Sequence, residues 1–176
     1  NEPMGLAAVR RVFEELLERR PEFHGRAFAI VGNQQALRMG VRLIDVDLNR
    51  CFRYEMHGNE PRLLDPVDDH QIETRERQHV LDALRSVIAN RTPGEELIVI
   101  DLHTFSSDGP PFVIFADTIR NRDFARCLPM PKILGLAEII PGTLADYLTA
   151  AGCVAIAVET GRHDDPPVSY THLTLP

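Results

Sequence analysis

The sequence is poor in cysteine, and its cysteines follow no recognisable motif. Its 176 residues contain three, and Cys51, Cys127 and Cys153 are far apart with no Cys-x-x-Cys spacing. An odd number of scattered cysteines fits a reducing compartment rather than a disulfide framework or a thiolate zinc site. We therefore predict that all three are buried or half-buried and serve as small apolar residues.

The sequence also lacks a basic excess and any long apolar run. The formal net charge is -7 and the pI is about 5.5, so there is no basic footprint for nucleic acid. No run approaches the roughly 20 apolar residues that span a bilayer, and nothing resembles a signal peptide. We predict a cytoplasmic protein of one domain that binds neither nucleic acid nor membrane. The oligomeric state stays open, a homo-oligomer included.

Both ends of the chain are unusual. It begins at Asn1 without an initiator methionine, and a helical pattern follows at once, so we expect the first strand to be missing. The last residues, 168–176, read like the translation of a sequencing adapter, and we expect them to be a non-native tail. Residues 1–167 are then one partial domain.

Apolar periodicity predicts helices and strands in alternation. Helical spacing predicts helices over residues 4–20, 68–90 and 142–152. Apolar runs predict strands over residues 26–33, 97–103, 110–117 and 153–158, with another extended segment over 41–50. Strands that alternate with helices predict an α/β fold, with a mixed, mainly parallel sheet flanked by helices.

The third helix carries its own start signal. Thr143 is the predicted N-cap, Asp146 is its capping-box partner, and Gly152 follows the far end.

Polar clusters follow the predicted strands. "DLNR" at 47–50, "DLH" at 101–103 and "ETG" at 159–161 stand at strand ends, and Glu2 stands at the mouth of the first helix. Ligands of open α/β sheets collect beyond the carboxyl ends of the strands. Carboxylates, an imidazole, an amide and arginines together suit a catalytic zinc with an open position beside an anion pocket. A complete site would need one more imidazole.

The tripeptide Asn-Glu-Pro occurs twice, and only the internal copy follows a histidine. His57 and Glu60 could grip one zinc ion, whereas the terminal copy offers only Glu2. The surrounding segment is charged and broken by glycine and proline, so we favour a polar surface loop there. A loop that lines the substrate channel without touching metal is the alternative.

The order of these motifs resembles that of the succinylglutamate desuccinylase/aspartoacylase family. The matching stretches are "NEPMGLAAVRRV", "GNQQALRMGVRLIDVDLNRCF", "DLHTFSS" and "VAIAVETG". They cover nearly all of residues 1–165 in the family's order. The resemblance implies a zinc-dependent amide hydrolase whose catalytic domain is similar to the zinc carboxypeptidase fold.

The resemblance also implies a metal site for one Zn²⁺ ion. Glu2 would be the carboxylate ligand and His103 the second imidazole ligand, with Asp101 orienting the His103 ring. The first imidazole would stand two positions before Asn1, outside this chain. Two ligands do not hold zinc tightly, and the family's β-rich C-terminal domain is absent. We therefore expect the chain alone to be inactive.

The remaining roles implied by the resemblance are in substrate binding and catalysis. Arg42 would polarise the scissile carbonyl, Asn49 and Arg50 would hold a carboxylate, and Glu159 would be the general base that takes a proton from the zinc-activated water. From the residues alone, the arginines could equally be surface charges paired with nearby aspartates.

These roles predict a deacylase that acts on a small acidic N-acyl amino acid, with the acyl group and the amino acid unspecified. The other hypotheses are a zinc carboxypeptidase-like peptidase and a catalytically dead binding module of the same fold.

Overall fold

The structure is a computed structural model that describes residues 3–19, 23–66, 68 and 70–162. The helices are α1 (Pro3–Arg19), α2 (Gln34–Met39), α3 (Ile72–Ala89), α4 (Ile119–Arg126) and α5 (Leu144–Ala150), with short 3-10 turns at Leu48–Arg50 and Ala137–Ile139. The strands are β1 (Tyr54–His57), β2 (Glu60–Leu63), β3 (Ile98–Phe105), β4 (Phe112–Ile114), β5 (Lys132–Ile133) and β6 (Val154–Arg162). Within these residues, no helix is long and apolar enough to cross a membrane.

The main sheet has four strands in the order β3-β6-β4-β5. β3 runs parallel to β6 and β4 runs parallel to β5, whereas β4 and β6 are antiparallel. Helices pack on the sheet, and the predicted mixed, mainly parallel α/β fold is confirmed. β1 and β2 form a separate antiparallel hairpin.

Each face of the sheet has its own core, because successive side chains of a strand lie on opposite faces. On one face, Ala155 of β6 packs with Leu84 of α3 and Leu148 of α5. On the other face, Ile156 and Val158 of β6 join the cluster that includes residues of α4. The apolar run of β6 is continuous because both of its faces are covered.

The three predicted helices correspond to α1, α3 and α5. α1 begins and ends within one residue of the prediction, and α3 begins at Ile72 instead of residue 68. The Ile72 N–H donates to the Asp45 carboxylate at 2.7 Å, so a distant residue caps this helix. The predicted cap of α5 is confirmed, since the Thr143 hydroxyl accepts from the Asp146 N–H at 3.2 Å. The Asp146 carboxylate itself is hydrogen-bonded to Tyr54.

Two of the extended segments were predicted wrongly. Residues 26–33 form no strand, and Phe28 and Ile30 in this segment are 54% and 39% exposed. Among the residues that the structure describes, no strand lies beside them, and a strand needs a partner for its N–H and C=O groups. Residues 41–50 are a series of bends that ends in the 3-10 turn, because their N–H groups bond to a side chain rather than to a strand.

Smaller corrections concern element ends and one cysteine. β3 continues past His103 to Phe105, and β6 continues past Val158 to Arg162. Residues 54–63 form a hairpin rather than a loop, and α2 and α4 were not predicted. Cys51 and Cys153 are half-buried as predicted, whereas Cys127 is exposed because it follows the last turn of α4 at the surface.

Candidate active site

The pairing of β3 with β6 brings the polar residues of both strands together. His103 and Glu159 are register partners, and Asp101 is paired with Ala157 two residues earlier. Paired residues of neighbouring strands share a face of the sheet, so Asp101, His103 and Glu159 lie on one face. Neither strand ends at these residues, and the site is therefore part of the sheet itself.

The His103 ring is held by a carboxylate. Its Nε2 lies 3.0 Å from Asp101 Oδ2, and both side chains are largely buried. The Thr160 hydroxyl donates to the His103 carbonyl at 3.0 Å, next to a register shift between His103 and Phe105. These contacts restrict both the imidazole and the backbone that carries it.

Asn49 connects this histidine to the start of α5. Its Nδ2 lies 3.0 Å from His103 Nε2, and its Oδ1 accepts from the Leu144 N–H at 2.8 Å. Nε2 cannot donate to Asp101 and accept from Asn49 at once. The tautomer of the ring therefore decides which of the two contacts is a hydrogen bond.

Glu159 lies in the middle of the sheet. It is flanked in register by His103 of β3 and Phe112 of β4, and its Oε2 atom is buried. A half-buried carboxylate beside an imidazole is suited to proton transfer, since both groups bind and release protons.

The two arginines lie at the surface. Arg42 is 61% exposed and pairs with Asp47 at 3.4 Å, which matches the ion-pair alternative left open by the sequence. Arg50 is exposed, and its Nη1 donates to the Asn49 carbonyl at 2.6 Å.

The described residues include only part of the expected metal site. Glu2 lies outside the described residues, and those residues contain no group of three or more metal-ligating side chains. His103 backed by Asp101 fits one ligand position of a zinc site, but it does not complete one.

The internal motif lies elsewhere. His57 and Glu60 face each other across the turn of the β1–β2 hairpin, and the His57 side chain is 66% exposed and lies 3.8 Å from Glu55. An exposed hairpin tip agrees with the surface segment favoured from the sequence.

Sequence reasoning missed two carboxylates, Glu73 and Glu76, which are buried on α3. Together with Val80 and Leu84 they form one buried stripe of this helix. Their positions relative to the apolar residues were the available signal, because residues three, four and seven apart share a helix face.

Comparisons with known proteins identify the family and the fold. Residues 1–164 match the family described as the succinylglutamate desuccinylase/aspartoacylase catalytic domain. A succinylglutamate desuccinylase of Shewanella baltica is 28% identical over 104 residues, which make up 59% of this chain and 28% of that protein.

Solved structures show the same fold. Succinylglutamate desuccinylase from Chromobacterium violaceum superposes with a TM-score of 0.70 at 16% identity, covering 92% of this chain and 50% of the other. Murine aminoacylase 3 gives a TM-score of 0.53 at 19% identity, covering 94% of this chain and 53% of the other. The chain thus spans about half of each of these proteins, and the likeness confirms the predicted fold class.

Proposed function

Because the chain belongs to the succinylglutamate desuccinylase/aspartoacylase catalytic-domain family, we propose that it carries the hydrolytic site of a deacylase. Its substrate is a small N-acyl amino acid that bears a carboxylate. The observation that carries the proposal is the register of β3 and β6, which sets His103 beside Glu159. An imidazole that can bind a metal and a carboxylate that can move a proton are the two groups that this reaction needs.

Four residues have separate roles in this proposal. Glu159 is the general base, because the register of β3 and β6 sets it beside His103 and its carboxylate can pass a proton from water to the leaving amine. Asn49 and Arg50 bind the substrate carboxylate, and Arg42 polarises the scissile carbonyl. Support for Asn49 comes from its hydrogen bond to the Leu144 N–H, which holds its amide against His103.

We also propose one Zn²⁺ ion, held by His103, by Glu2 and by one further imidazole. When bound, zinc supplies the Lewis-acid chemistry that makes water a nucleophile near neutral pH. Asp101 orients the His103 ring for this purpose, with 3.0 Å between Asp101 Oδ2 and His103 Nε2.

A cytoplasmic location belongs to the same proposal. The three cysteines are all unpaired, which is the usual state in a reducing compartment.

The test begins with zinc content, measured by elemental analysis of the full-length protein and of two variants. Glu2→Ala should lose the metal and Glu60→Ala, its matched control in the second Asn-Glu-Pro copy, should keep it. Loss of zinc from Glu60→Ala alone would make the hairpin the metal site and refute the proposal.

The second step separates binding from chemistry. Glu159→Gln should keep zinc and slow the hydrolysis of N-acyl amino acids by at least about 10²-fold. A protein that binds such compounds without hydrolysing them would be a binding module, and one that cleaves only peptides would be a carboxypeptidase-like enzyme.

A further inference from the structure

Glu73 is a buried carboxylate outside the proposed catalytic machinery. Its relative exposure is 0%, and it lies at the second position of α3. An ionised carboxylate in the interior requires several hydrogen bonds to replace its lost hydration. The partners of Glu73 all come from residues that precede the "DLNR" motif in the sequence.

Glu73 accepts four hydrogen bonds. Its Oε1 accepts from the Ile44 N–H at 2.7 Å and from Asn33 Nδ2 at 3.0 Å. Its Oε2 accepts from the Asp45 N–H at 3.0 Å and the Val46 N–H at 3.3 Å. Three successive backbone N–H groups therefore converge on one carboxylate, which is the arrangement of an anion-binding nest.

The same contact joins loop and helix in both directions. While Glu73 binds the N–H groups of residues 44–46, the Asp45 carboxylate caps the start of α3 through the Ile72 N–H at 2.7 Å. Each carboxylate thus satisfies backbone donors of the other segment, and neither segment can shift without breaking both sets of bonds.

The nest leads directly to the site. Asp47 follows Val46, and its Oδ1 accepts from the Asn49 N–H at 3.0 Å. Asn49 then reaches His103 Nε2 at 3.0 Å. A displacement of residues 44–46 is therefore transmitted through one short turn to the amide beside the imidazole.

We propose that Glu73 is a positioning residue. It holds the loop of residues 44–49 so that the Asn49 amide lies beside His103. It touches neither substrate nor metal. The structural part of this proposal rests on the hydrogen bonds alone. The effect on kinetics rests on the proposed deacylase function. Its removal should weaken binding of the substrate carboxylate more than it slows bond cleavage.

The decisive comparison is Glu73→Gln against Glu76→Gln. Both residues are buried on the same helix face, but the contacts of Glu76 within the described residues are the Gln35 N–H at 3.0 Å and the His79 ring at 3.9 Å, neither of which belongs to residues 44–49. A glutamine at position 73 keeps the volume and replaces one acceptor oxygen by an NH₂ group that cannot accept. Two of the four donors then lose their partner.

The first readout is NMR of the Asn49 side-chain amide and the His103 ring nitrogens. Both sets of signals should move in Glu73→Gln and stay in place in Glu76→Gln. Glu73→Asp keeps the charge and should restore part of the wild-type shifts. Unchanged Asn49 and His103 signals in a folded Glu73→Gln protein would overturn the proposal.

The second readout is kinetic. Glu73→Gln should raise KM about tenfold with little change in kcat, because binding rather than chemistry is affected. Equal KM values in Glu73→Gln and Glu76→Gln would overturn the kinetic part. If the wild type hydrolyses no N-acyl amino acid, the proposed function fails while the NMR comparison still decides the role of Glu73.

A third measurement needs no variant. In the wild type, the amide protons of Ile44, Asp45 and Val46 should be protected from hydrogen exchange at neutral pH. Rapid exchange of all three would overturn the proposal even if no substituted protein folds.

Discussion

The loop of residues 44–50 and the hairpin of residues 54–63 are neighbours in sequence, and both are polar. The loop is bonded to the buried carboxylate of Glu73, whereas the hairpin is held by its own ladder and by contacts at its base. The base is secured by the Arg77 guanidinium, which donates to the Leu64 carbonyl, and by the ring contact of Tyr54 with Tyr147 at 6.0 Å. The tip, with His57, is exposed. Similar residue types therefore have different environments: Asn49 of the loop lies 3.0 Å from His103 on the sheet, whereas the tip of the hairpin is exposed.

The largest effect is expected from removal of the Glu73 carboxylate, which anchors the loop. Glu73→Ala leaves three backbone N–H groups and the Asn33 amide without their acceptor, so we expect a loss of at least about 3 kcal/mol in the free energy of unfolding. Urea unfolding followed by circular dichroism measures it. Glu60→Ala in the hairpin is the control, with a change within about 0.5 kcal/mol. Equal losses in the two variants would remove the distinction between loop and hairpin.

A second comparison uses two glycines with positive φ. Gly142 has a φ of 83°, and an added Cβ would lie 2.5 Å from the Arg50 carbonyl oxygen, whereas Gly58 in the hairpin turn has a φ of 62° and open space. Gly142→Ala should therefore destabilise by about 2 kcal/mol or more, and Gly58→Ala by about 1 kcal/mol from the backbone alone.

Thermal unfolding of both variants measures the two losses of stability. A larger loss from Gly58→Ala would mean that the loop can move away from Gly142, contrary to the anchored arrangement.

The change of folding stability with pH should have opposite signs in the two regions. Burial raises the pKa of the Glu73 carboxyl, but the hydrogen bonds from Ile44, Asn33, Asp45 and Val46 outweigh it, so its pKa is below the ordinary 4.5. Burial likewise raises the pKa of Asp146, the partner of Tyr54 at the hairpin base, and here the net pKa stays above the ordinary 3.8.

The consequences follow from proton linkage. The stability due to Glu73 is fully present above its unfolded pKa of 4.5 and is lost as the pH falls through the lower folded pKa. Ionised Asp146 reduces stability as the pH rises from 3.8 through its raised folded pKa. Urea midpoints between pH 3 and 6 should therefore rise less steeply with pH in Glu73→Gln and more steeply in Asp146→Asn than in the wild type. Parallel curves for all three proteins would contradict both assignments.

The smallest expected effect is at the hairpin tip. His57→Ala should change the free energy of unfolding by less than about 0.5 kcal/mol, because the side chain is 66% exposed. The zinc content of the full-length protein should also be unchanged. A fall in zinc content would bring the hairpin into the site.

Helices α1, α3 and α5 and the inner strand β6 were predictable because their signals are local. Apolar spacing in α1 and α3 and the Thr143 cap of α5 need only a few neighbouring residues. The continuous apolar run of β6 likewise indicated burial on both faces. Residues 26–33 have the composition of a strand, but strand formation depends on a pairing partner that no local pattern specifies.

The sequence named residues of the candidate site but not the contacts that they make. Motif order singled out Asn49, Asp101, His103 and Glu159. It did not reveal Glu73, because a carboxylate near a helix start is ordinarily a solvated charge that complements the helix dipole. Only the burial of that face of α3 and the approach of residues 44–46 give this carboxylate its role.

The sequence by itself determined which residue types are available and that the segments of α1, α3 and α5 are helical, since both depend on the chain within a few residues. The tertiary structure decided that His103 stands beside Glu159, that Asn49 reaches the imidazole and that Glu73 holds the loop. The physical reason is that strand register and buried hydrogen bonds join residues far apart in the chain, and their partners are chosen only when the whole core packs.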